Sequence, residues 1–155
     1  VVTEPTPSGE SDLQRVLDVA AAMLGVAEVD AAARPDSDID PIDHIASEFD
    51  AAAAVRGPED EGFYPLGIAR RIIATCEALD LAVTEVEGFE RRGDDVMRLT
   101  GYAASIGDAH RGEPWALFRA GCNIQAAAIL EKWASSGDLL IALEVADRDG
   151  EEYVL

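Results

Sequence analysis

The sequence is poor in positive charge, in aromatic rings and in cysteine. Lys and Arg together number 12 against 31 Asp and Glu, which gives a formal charge of -19 over 155 residues. Nucleic acid and anionic membranes are bound largely through Lys and Arg, so a field of this sign repels both. No local patch offsets it: Arg70-Arg71 and Arg91-Arg92 are the basic pairs, and Lys132 is the lone lysine. Aromatics make up 6% of the chain, while Ala supplies much of the 48% hydrophobic share. That mixture favours closely packed helices over a sheet sandwich.

The two cysteines, Cys76 and Cys122, have no CxxC spacing, which speaks against a zinc knuckle or a dense disulfide framework. They read as buried thiols. Cys76 could act as a nucleophile, but it falls on an apolar stripe with no base assigned to it. No stretch of about 18 apolar residues is present to span a bilayer. Val1 to Glu10 carries acid and proline where a signal peptide would carry positive charge and an apolar run. A soluble cytoplasmic domain is therefore expected. Neither G-x-S-x-G nor a glycine-rich phosphate loop occurs, so common hydrolase and nucleotide-binding patterns gain no support.

What the chain does contain reads mostly as helix. Residues 1–10 are expected to form a disordered acidic tail, and residues 11–155 a single helical domain. Ser11 and Gln14 form a capping box, after which Leu13, Val16, Leu17, Ala20 and Leu24 recur at spacings of three and four. A second helix starts at Asp40-Pro41, buries Ile42, Ile45, Phe49 and Ala52, and ends at Gly57-Pro58. A third opens at Pro65 and carries Ile68, Ile72, Ile73, Cys76 and Leu79.

Between Ala82 and Tyr102 the glycines interrupt any regular element. Val83 and Val86, then Val96, Leu99, Ala103 and Ile106, keep to intervals of three and four, so two helices broken at Gly93 are preferred. The alternative is a hairpin turning at Arg92-Gly93-Asp94. Glu113-Pro114 starts a further helix that Gly137 stops. Leu139 to Val145 is apolar enough to be a buried helix or a strand, and a strand would turn at Asp149-Gly150 into Glu151 to Leu155. The expected fold is mainly α: a compact bundle of about five helices, with a short C-terminal β-hairpin, and so an α+β fold, as the rival.

An internal echo joins Tyr102 to Asp108 with Trp133 to Asp138, where Gly-Asp follows an aromatic and small residues. Helical-repeat proteins of the tetratricopeptide type use similar turns, but two copies without a fixed period do not make a family.

Two sets of side chains could hold a metal. Asp40, His44 and Glu48 lie four apart along the second helix, where successive side chains stack on one side. That strip also lies away from the apolar stripe, as an ordinary solvated face would. The alternative set is Glu77, Asp80, Glu87 and Glu90. It resembles the carboxylate pairs with which all-helical nucleotide pyrophosphohydrolases of the MazG type bind magnesium, although the order is reversed and the separation short. Chance supplies such pairs readily at this acidic content.

The leading functional expectation is a non-enzymatic, acidic protein-interaction module: a regulator, adaptor or assembly factor that meets a basic partner protein and needs no cofactor. Self-association is open to it as well. The alternative is a small all-α hydrolase of phosphorylated substrates that depends on a divalent metal such as magnesium. A third reading treats the acidity as an adaptation to high internal salt.

Overall fold

The computed structural model describes residues 38–155. The tail at residues 1–10 and the helix expected from Ser11 lie outside the described residues. The described chain is not a helical bundle: a six-stranded antiparallel sheet is backed by three α-helices, an α+β arrangement.

Helix α1 spans Pro41–Phe49, and Asp40 caps it by accepting a 2.8 Å hydrogen bond from the Ile42 amide. It ends earlier than its stripe suggests, passing into a 3-10 turn at Asp50–Ala52. Strands β1 (Val55–Arg56) and β2 (Gly62–Pro65) come after it as a short hairpin. Helix α2, Leu66–Ala78, starts directly after Pro65. Strands β3 (Ala82–Arg92) and β4 (Asp95–Ser105) come next. A 3-10 turn at Gly107–His110 then leads to helix α3, Trp115–Trp133. Strands β5 (Leu140–Ala146) and β6 (Glu152–Val154) close the chain.

The sheet runs β1-β2-β5-β3-β4, and β6 lies beside β5 on the same side as β2. Leu155 ties β2, β5 and β6 together: its carbonyl accepts from the Gly62 amide at 2.7 Å, and its amide donates to the Leu143 carbonyl at 3.1 Å. β5 is thus paired along both sides.

Two expected helices in the middle of the chain are strands, and the cause lies in the bulges. Across β5, Val83 faces Val145 and Glu85 faces Glu144, so Thr84 is an extra residue in β3. The insertion puts both Val83 and Val86 on the buried face at a spacing of three, which imitates a helix. β4 hides its period in the same way. Between the pairs Glu87–Ala103 and Phe89–Arg98, β4 carries four residues where β3 carries one, with Gly101 at φ +85°. Val96, Leu99 and Ala103 therefore stand three and four apart along an extended chain. The two strands turn at Gly93, whose φ of +64° lies in the left-handed region that glycine adopts most readily. Gly88 is required for another reason, since a Cβ there would come within 2.8 Å of the Tyr102 Cβ.

The main core lies on one face of the sheet, while Phe63, Leu140 and Ala146 are buried on the other. Ile72, Ile73 and Cys76 of α2 and Cys122, Ala126 and Leu130 of α3 pack on Val83, Val86, Ile141, Leu143 and Val145. Ile45 and Phe49 of α1 join this cluster, and the Arg71 guanidinium stacks over the Phe49 ring at 5.6 Å. Burying each large aliphatic side chain in this layer contributes roughly 1.5–3 kcal/mol. Among the described residues no helix is long and apolar enough to cross a membrane.

Candidate functional site

Directly opposed residues in a sheet point the same way. The register therefore fixes what the second face displays. The pairs Glu85–Glu144, Glu87–Ala142 and Phe89–Leu140 lie on it, together with Ser105 opposite Glu85. β6 adds Val154 opposite Glu144, and Glu152 opposite Ala146. Glu85, Glu87, Glu144 and Glu152 consequently share the face away from the helical core, and α3 reaches its edge through Phe118.

Three hollows follow one another over this face. At one end Thr84, Glu85, Ser105, Glu144 and Glu152 meet the turn bearing Gly107, Asp108 and Arg111 around a cavity of about 300 Å³, with Phe118 at its wall. A smaller hollow of about 90 Å³ lies between Glu85, Glu87, Ala142, Glu144 and Val154. Toward the hairpin tip, Val55, Phe63, Phe89 and Val96 form the apolar part of a groove of about 710 Å³. Phe63 and Phe89 meet there edge to face, with centroids 4.8 Å apart.

Charge on the face is uneven. Arg98 pairs with Glu87 at 2.5 Å, and Arg111 pairs with Asp108. Glu85, Glu144 and Glu152 have no ion-pair partner among the described residues. Partial burial pushes the Glu85 carboxyl above its ordinary range, and Glu87 and Glu144 push it further. Glu144 is raised by burial and then by Glu152 and Glu87, with a contact from the Thr84 hydroxyl working the other way. Among the described residues no group of three or more His, Cys, Asp or Glu side chains is placed to hold a metal ion. The row is an extended negative stripe and not a convergent ligand set.

The residues singled out from sequence are distributed differently. Asp40 is occupied in capping α1, while His44 Nε2 lies 3.5 Å from Glu48 Oε2. Among the described residues no third group joins that pair to hold a metal. Glu77 and Asp80 do come together, around Arg119. Its guanidinium donates to Glu77 Oε1 at 3.0 Å and to Asp80 Oδ1 at 2.5 Å. Trp115 Nε1 also donates to Asp80 Oδ1, and Arg148 makes two bonds to Oδ2 at 2.8 and 3.1 Å. Asn123 Nδ2 takes the remaining Glu77 oxygen at 2.7 Å. Burial would raise the Asp80 carboxyl, but these donors and the charges of Arg119 and Arg148 outweigh it and hold it below its ordinary range.

This cluster fastens the α2–β3 turn, where Asp80 has φ +62°, to α3 and to the β5–β6 turn. The other half of the set separates. Glu87 and Glu90, three apart, would share a face on a helix, but on β3 they point to opposite sides, and Glu90 pairs with Arg92 at 2.9 Å. Both cysteines are free and buried. Burial pushes the Cys76 thiol upward and the Cys122 thiol up to about 12, so both are held protonated.

Sequence reasoning missed Glu85, Glu144 and Glu152. The signal available was the alternation Glu85-Val86-Glu87, with Glu144 interrupting an apolar run at the same period. Comparison of the chain with models of known protein families, with curated proteins and with solved structures finds no match.

Proposed function

We propose that the protein is a non-enzymatic interaction module whose sheet face, opposite the described helices, receives a basic partner protein. The observation that carries this reading is the cross-strand Glu85–Glu144 pair, flanked by Glu87 and Glu152. Like charges directly opposite one another in a sheet destabilise it. Folding gains nothing from placing them there, whereas a partner bearing Lys or Arg would relieve the repulsion and gain charge-assisted hydrogen bonds. Stability given up at a surface in this way is a common mark of binding.

The stripe is spread along three strands, which suits a row of cationic side chains and not one ion. The metal-dependent hydrolase has less behind it, because the Glu77 and Asp80 oxygens are engaged by arginine, tryptophan and asparagine donors.

Selection of random peptides displayed on phage, with the full chain as bait at low ionic strength, tests the proposal. Enriched sequences should carry a Lys and Arg excess, and their binding should weaken steeply toward about 1 M salt, where screening acts within about 3 Å. Enrichment of neutral or acidic sequences, or binding indifferent to salt, would overturn it. Folding that itself requires molar salt would assign the acidity to salt adaptation instead.

A further inference from the structure

We infer that the sheet face takes one extended segment of the partner in a fixed register, with an apolar anchor in the Phe63–Phe89 groove and a Lys or Arg over Glu85 and Glu144. The inference rests on the interaction reading above and adds the site and the pattern that it selects.

The two smaller hollows share Glu85 and Glu144, and the larger groove, which shares no lining residue with them, adjoins them along β3 through Phe89, on the same strand as Glu85 and Glu87. A segment lying along β3 therefore passes from apolar to acidic surface without leaving the face. Phe89 and Glu85 are four residues apart on a strand that rises about 3.3 Å per residue, a separation of about 13 Å. An extended ligand spans the same distance in four residues. Because alternate side chains of such a ligand face the same way, anchor and cation at that spacing both point at the sheet.

Charge decides the occupant. Glu61, Asp94 and Asp95 border the groove, and its one arginine, Arg56, is held by the Asp50 carboxylate at 2.8 Å and the Asp60 carbonyl at 2.9 Å. The whole track therefore favours a cationic segment. A second copy of this chain carries the same excess of negative charge. The chain's own residues 1–37 hold Glu4, Glu10, Asp12, Asp18, Glu28, Asp30 and Asp36 against Arg15 and Arg34. Neither complements the stripe in charge, whereas a basic segment of another protein does.

The test uses two labelled synthetic peptides of one composition: Phe-Thr-Ser-Thr-Arg-Thr-Arg, and a permutation with Phe and Arg adjacent. Fluorescence anisotropy with the full chain should show the first binding more tightly than the second. Replacing Glu85 and Glu144 together by Gln should weaken the first by about tenfold, the loss of roughly one charge-assisted hydrogen bond. Amide shifts of the unaltered protein on titration with the first peptide give a second measurement, and these should cluster at Gly88, Phe89 and Ala142. Equal affinity for the two peptides overturns the register. Shifts confined to the helical face, or an affinity unchanged in the Gln variant, overturn the site while leaving a basic partner in place. If phage selection yields no basic peptides, the underlying interaction reading has failed first. Self-association competing with the peptide would assign the face to a second copy.

Discussion

Replacing Glu85 and Glu144 by Gln should make the protein more stable, and only where those groups are ionised. Gln keeps the size of Glu and removes the charge, so the change isolates the repulsion across β3 and β5. A like-charge pair directly opposed in a sheet costs about 0.2–1 kcal/mol. Because Glu87 and Glu152 add to the same field, the double variant should gain roughly 1 kcal/mol, or about 3 °C in Tm for a chain of this length.

The sign with pH is set by linkage. Both carboxyls are raised in the folded protein above their ordinary value of 4.5. Between that value and the raised one, the folded state holds more protons than the unfolded state. Stability therefore falls as pH rises through the window and stays low above it. The gap between variant and wild type should be near zero at about pH 4 and full at about pH 8, and it should shrink at high salt. Thermal melts followed by circular dichroism at low ionic strength measure it. A variant no more stable than wild type at the higher pH, or a gap of equal size at both, would refute the reasoning.

Other consequences concern the frame behind that face. Asn123 is fully buried, accepts from the Val83 amide at 2.8 Å and donates to the Leu81 carbonyl at 2.9 Å. Asn123→Ala orphans both backbone groups and should cost about 2–5 kcal/mol in urea unfolding. Asn123→Asp, which sets a carboxylate beside Glu77, should cost more, and an Ala variant within about 0.5 kcal/mol of wild type would contradict this role. Asp80, lowered from its ordinary 3.8, contributes stability that is present above that pH and lost as pH falls through the folded value. Asp80→Asn should therefore lower the Tm at neutral pH and flatten its fall in acid. Neither Cys76 nor Cys122 should react with a thiol reagent in native buffer, and both should react in denaturant.

Helix starts were legible where a specific residue dictates the backbone. Asp40-Pro41, Pro65 and Pro114 each stand at the head of a helix, and Gly137, at φ +89°, stands where the chain leaves α3. The hairpin signals at Gly93 and at Asp149-Gly150 were visible too, and both turns are used. What misled was periodicity. The extra residue Thr84 in β3 and the residues around Gly101 in β4 turn a period of two into spacings of three and four, and only the pairing with neighbouring strands reveals the insertions. The same error dispersed the site. Glu87 and Glu90 share a face only on a helix, while Glu85, Glu144 and Glu152 meet only when strands far apart in sequence are laid side by side.

The most direct test separates a local stripe from bulk charge. Affinity for the Phe-Thr-Ser-Thr-Arg-Thr-Arg peptide should be compared between Glu85→Gln/Glu144→Gln and Asp43→Asn/Glu48→Gln. The second pair removes the same net charge from the exposed side of α1, whose Ile45 and Phe49 pack with the core on the other side of the sheet. The sheet-face variant should bind about tenfold more weakly, while the α1 variant should retain nearly the wild-type affinity. Equal losses in the two would show that only the overall negative field attracts the ligand and that the sheet face is no site.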